Sequence, residues 1–115
     1  MVERPMGSTA KAEPDLPNYR AKSFYGKNKS GQYIYVYSDQ ANRRGLFYKT
    51  RSLGGNWSDA HTFYHHDNRN SYPTLIEHKS GKWLAVWDSS NHPDQRRTVI
   101  RFGRLAPSTT ETPQR

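Results

Sequence analysis

The stretch Thr50-Arg51-Ser52-Leu53-Gly54-Gly55-Asn56-Trp57 does most to narrow what this chain can fold into. A hydroxyl residue, a small polar residue two on, a glycine two further on and a tryptophan three after that have the spacing of a tight turn. Gly54 supplies a backbone angle that other residues resist, as a tight turn between two strands requires. The preceding run, Gly45-Leu46-Phe47-Tyr48-Lys49, reads as the first of those strands.

The rest of the chain agrees with short strands and tight turns. Hydrophobic residues make up 32% of 115, below the usual 45–50% or so, so the aliphatic core is lean. Eight Tyr, four Phe and three Trp compensate, because each ring buries a large area. Gln32 to Tyr37 is β-branched or aromatic after its first residue, and Gly45 to Arg51 follows a polar loop, Ser38 to Asn42. Trp57 to Tyr64 reads as a short outer strand. Ser71 to His78 leads through Lys79-Ser80-Gly81 into Lys82 to Asp88, and a loop of Ser89 to Arg96 precedes a last strand, Thr98 to Leu105. Strand, polar loop, strand, turn, strand thus recurs once with a period of about fifty residues. No segment has a helical period.

The chain is long enough for one domain. Residues 1–22 are polar, with Pro5, Pro14 and Pro17, and read as an unstructured leader; residues 106–115 read as a tail of the same kind. Between them, 23–105 divides into two β units, about 31–64 and 70–105. With no cysteine, disulfides and thiolate chemistry are excluded. No apolar run is long enough to span a membrane, and the N-terminus does not read as a signal peptide. The net charge of +8 raises nucleic acid or an anionic ligand as a partner, but the Arg and Lys residues are scattered and read mostly as solvated faces.

Arg43-Arg44-Gly45-Leu46-Phe47-Tyr48, the turn at 50–57, Asn70-Ser71-Tyr72-Pro73-Thr74-Leu75-Ile76-Glu77, Ser80-Gly81-Lys82-Trp83-Leu84-Ala85-Val86-Trp87 and Arg97 to Leu105 follow one another in an order that resembles the C-terminal part of the sialidases (neuraminidases) and sialidase-like Asp-box proteins. Thr50 to Trp57 is similar to their Asp box, with Ser52 where Asp is usual and Thr50 where Ser is usual. The likeness covers about Gly31 to Leu105. It implies an all-β fold of antiparallel sheets, two blades of a six-bladed β-propeller. Two blades alone leave open sheet edges, so the chain is expected to be a piece of a larger enzyme, to close a ring as a homo-trimer, or to depart from the propeller. The family is often secreted or periplasmic; the compartment here is unknown.

The resemblance also implies chemistry. Sialidases hold the sugar carboxylate with three arginines, whose planar forks match it. The third lies on the strand before the Asp box, about thirty residues ahead of the nucleophilic tyrosine; Arg43 fits that place and Arg44 is one residue out. Tyr72 falls at the nucleophile's position, with Pro73 where Ser is frequent. The alternative for the arginines is an exposed hairpin, and for Tyr72 an aromatic packing beside Trp83. Pro73 lacks a backbone donor, so its strand must begin there or lie at an edge. The general acid, the tyrosine's partner glutamate and the other two arginines have no counterpart. The expected function is therefore a sialidase-like glycoside hydrolase fragment acting on sialic acid or a related acidic glycan, inactive alone, with no cofactor. The alternative is a non-catalytic glycan-binding or self-assembling module.

Glu77 and Asp88 read as structural, Glu77 on the face opposite Tyr72 by alternation and Asp88 capping a turn at Ser89-Ser90. His61, His65, His66 and Asp67 read as a polar loop in preference to a metal site. Trp83 and Trp87 alternate in phase with Ala85 and read as core. Tyr33, Tyr35 and Tyr37 share one strand face and could stack RNA bases, but no accompanying motif supports this, and nucleic acid is not the expected partner.

Overall fold

A computed structural model describes residues 13–19, 22–39, 44–66, 68–91 and 98–107. They form two antiparallel sheets, each a simple meander, and no helix. The first sheet holds β1 (Phe24–Lys27), β2 (Tyr33–Ser38), β3 (Gly45–Arg51) and β4 (His61–His65) in that order. The second holds β5 (Asn68–Lys79), β6 (Lys82–Asn91) and β7 (Thr98–Leu105). The all-β, antiparallel reading stands.

Alternation along each strand decides what is buried. Ile34, Val36 and Leu46 face the second sheet, which answers with Leu75, Trp83, Ala85, Trp87 and Leu105. Phe24, Tyr48, Phe63 and Tyr64 close the margins, Phe24 meeting Trp83 edge-on at 5.9 Å and Phe63 meeting Trp87 at 5.3 Å. The aromatic rings thus supply the volume that so few aliphatic residues could not. The phase expected for Trp83, Ala85 and Trp87 is the one observed: each is at most 3% exposed.

The turn at 50–57 joins β3 to β4 as its spacing predicts. Gly54 has φ +79°, the Gly55 N–H donates to the Ser52 carbonyl at 2.9 Å, and Ser58 and Thr50 bond each other twice: Ser58 N–H to the Thr50 carbonyl at 2.8 Å, Thr50 N–H to Ser58 Oγ at 3.0 Å. Those last bonds spend Trp57 and Ser58 on the turn, so β4 starts at His61 and not at Trp57. Trp57 packs edge-on against Tyr25 at 5.7 Å, with the Arg51 guanidinium over its ring at 5.3 Å.

Three features escaped the sequence. β1 is a strand of only four residues. Residues 13–19 lie against the first sheet, where the Tyr35 hydroxyl donates to the Pro17 carbonyl at 2.7 Å and Tyr19 packs on Tyr37 at 6.4 Å. And β6 does not stop at Asp88: it runs on to Asn91, so Asp88 sits opposite Ile100 and Ser71 inside the sheet and caps no turn. The strand continues because Ser89, polar and turn-prone, finds partners in the core.

Turned the other way, the second sheet shows solvent an apolar face. Ile76, Val86, Ile100 and Phe102 are 65%, 42%, 62% and 79% exposed, and Val86 pairs directly with Phe102.

Candidate functional site

The end of the molecule where β3 and β5 begin gathers the residues expected to carry chemistry. Arg43 lies outside the described residues. Arg44 is half-buried, and its carbonyl accepts from the Asn70 side-chain amide at 2.8 Å and from the His66 N–H at 3.4 Å. Asn70 is fully buried and two residues before Tyr72. The start of the Arg44 strand and the start of the Tyr72 strand are therefore clamped together by one side chain.

Asn70 anchors more than that. Its Oδ1 accepts from the Trp87 indole N–H at 3.1 Å and the Ser89 hydroxyl at 2.9 Å, while its backbone carbonyl accepts from the Ser38 hydroxyl at 3.1 Å. Ser89 in turn accepts from the Asn68 amide and, at 2.9 Å, from Arg101 Nε. Buried polar groups are tolerated because they are paired in this way. Asn70, Ser89 and Arg101 had no role in the sequence reading; the available signal was Ser89 at the inward parity of Trp87, while the bulge hides Asn70 from any count back from Leu75.

Tyr72 is the one non-glycine described residue with positive φ, at +59°. β5 is an edge strand, and its register against β6 shifts between Ser71 and Thr74, so Tyr72 and Pro73 together face the single residue Trp87. Pro73, without a donor, is accommodated at this bulge of an edge strand. Tyr72 is 45% exposed, away from Trp83. A side chain held in left-handed backbone costs roughly 1–2 kcal/mol, and such strain gathers at functional sites.

The bulge also alters the count to Glu77. Alternation from Tyr72 is broken, and Glu77 pairs with Trp83. Its carboxylate accepts from the Lys29 and Gly81 N–H groups at 3.0 and 2.9 Å, tying the β1–β2 turn to the β5–β6 turn far from Tyr72. It is a structural clamp.

The remaining candidates are placed as follows. Asp67 lies outside the described residues; His61 packs on Tyr48 at 5.2 Å and His66 on Tyr64 at 4.5 Å. Among the described residues no three His, Asp or Glu side chains come together to hold a metal. Of the tyrosine trio, Tyr35 and Tyr37 are 7% exposed, beneath residues that include Pro17 and Tyr19, so they do not form an open stacking face. Burial, with lesser contributions from Tyr19 and Tyr35, raises the Tyr37 phenol above its ordinary pKa. Burial raises that of Tyr48.

No protein-family model matches this chain, and no curated protein and no solved structure is significantly similar to it.

Proposed function

We propose that the chain is a sialidase-like module whose Arg44 and Tyr72 end receives an acidic sugar, its two meanders being two blades of a six-bladed propeller. The observation that carries this reading is Tyr72: an exposed phenol kept in left-handed backbone, at a bulge, two residues from the side chain that grips Arg44. A strained, accessible phenol on a strand tied to the Arg44 backbone fits the retaining chemistry by which a tyrosine attacks an already anionic sugar. The parent reaction would be exo-hydrolysis of a terminal sialic acid. Among the described residues neither Glu77 nor Asp88 is placed to act as its acid or base, since Glu77 serves two turns and Asp88 lies within the sheet. Saturation-transfer NMR with sialyllactose and lactose tests the reading. Sialyllactose should give the stronger signal, and Arg44→Gln should remove the difference; equal signals from the two sugars would refute it.

A second reading, a non-catalytic self-assembling module, is favoured by the bare apolar face of Ile76, Val86, Ile100 and Phe102. In this reading that face meets a further sheet, and three copies close a ring. Light scattering decides: a trimer supports it, and a monomer at high concentration removes it.

A further inference from the structure

β5 lies against β1, β2 and β3. The far edges of the two sheets, β4 and β7, flank a cleft of about 410 Å³, a volume within the ~300–1,000 Å³ of small-molecule sites. Phe63 and Tyr64 line it from β4, Trp87 forms its back, and 100–103 line it from β7, with Arg101 and Gly103 paired to the inward Trp87 and Ala85. A Cβ on Gly103 would point between Trp87, at 3.4 Å, and Phe63, at 3.9 Å, so the glycine keeps this space open.

One charge enters an otherwise aromatic cleft. Arg101 Nε donates to Ser89 Oγ at 2.9 Å, and Ser89 is 1% exposed and bonded to Asn70. The guanidinium is thus steered from its Nε side by the core, and among the described residues no carboxylate pairs with it. A planar fork whose orientation is already set loses little freedom on accepting a carboxylate. The ring-lined walls favour a flat apolar body, which they would contact edge-to-face as Phe63 contacts Trp87.

We propose that this cleft binds an aromatic carboxylate, its ring held among Phe63, Tyr64 and Trp87 and its carboxylate on the Arg101 guanidinium. The site rests on the cleft alone and does not depend on the role of Tyr72. The net charge of +8 assists the approach of an anion.

Titration calorimetry with indole-3-acetate and its neutral amide, indole-3-acetamide, tests the assignment. The acid should bind about tenfold more tightly than the amide, the scale of one charge-assisted contact. Arg101→Gln should abolish that preference, and because Arg101 is exposed its melting temperature should stay near that of the parent. Gly103→Val, which fills the gap between Trp87 and Phe63, should weaken acid and amide alike by about tenfold. Equal affinity for acid and amide, unchanged affinity for the acid in Arg101→Gln, or no heat from either ligand at millimolar concentration would each overturn it.

Discussion

Asn70→Ala is the substitution through which the buried network can be weighed. The amide is 0% exposed and joins both sheets. Its removal leaves the Trp87 indole N–H without an acceptor and leaves the Arg44 carbonyl only the long bond from His66. The Ser89 oxygen keeps its donors Asn68 and Arg101, but its own O–H also loses its acceptor. A buried group stripped of its partner costs about 1–3 kcal/mol, so three groups at about 1 kcal/mol each give roughly 3 kcal/mol. For a domain of 60–100 residues that corresponds to a fall in Tm of roughly 12–24 °C, read by circular dichroism or calorimetry. Asn70→Asp supplies the control. A carboxyl enclosed there is held above its unfolded value of about 3.9. When protonated, it can still donate toward Arg44; when ionised, it cannot. Its stability is therefore fullest below the unfolded pKa and falls as pH rises through the raised folded value. An Asn70→Ala protein that melts within about 5 °C of the parent, roughly 1 kcal/mol, would refute the idea that the network holds the two sheets together.

Tyr72→Asn should melt no lower than the parent and up to several degrees higher, because Asn tolerates left-handed backbone at less than the roughly 1–2 kcal/mol a tyrosine pays; a clear drop in a thermal scan would mean that the ring, not the bulge, holds the site. Trp83 and Trp87 are both 3% exposed, but only the Trp87 Nε1 has a hydrogen-bond acceptor among the described residues. Trp87→Phe should therefore lower the denaturation free energy about 1 kcal/mol more than Trp83→Phe, and equal losses in urea titrations would contradict the assignment. The raised Tyr37 and Tyr48 phenols favour the protonated folded state. Stability should be fully present below the unfolded tyrosine value of about 10 and lost as pH rises through the folded values, with tyrosinate absorbance lagging until the protein unfolds.

Much of the fold was legible because two signals are local. β3 and β7 run from Gly45 to Arg51 and from Thr98 to Leu105, where β-branched and aromatic residues and bounding turns put them. Gly54 and Trp57 marked their turn because positive φ and a packing indole call for those residue types. The misses are non-local. Residues 13–19 carry no periodicity, and only the tyrosine hydroxyl of a distant strand gives Pro17 a place. Ser89 and Ser90 look like a turn until Asn70, nineteen residues before Ser89, is brought beside them. Tyr72 and Arg44 were singled out on resemblance, yet what joins their strands is the Asn70 amide, which no spacing announces.

The bulge at Tyr72–Pro73 acts on β5 as a frame-shift acts on a message. Upstream of it Asn70 faces inward; downstream, inward parity belongs to Leu75, 6% exposed, and outward parity to Ile76, 65% exposed. Straightening the bulge at constant length would exchange those two fates and turn Glu77 away from both of the turns it ties, whereas deleting one of the two bulge residues would restore one-to-one pairing and leave them as they are. A one-residue deletion is thus tolerable at the bulge in a way that it is not elsewhere along this strand. A single extra residue between Ser71 and Thr74 is what lets Asn70 and Leu75, five positions apart, both face inward from one continuous strand.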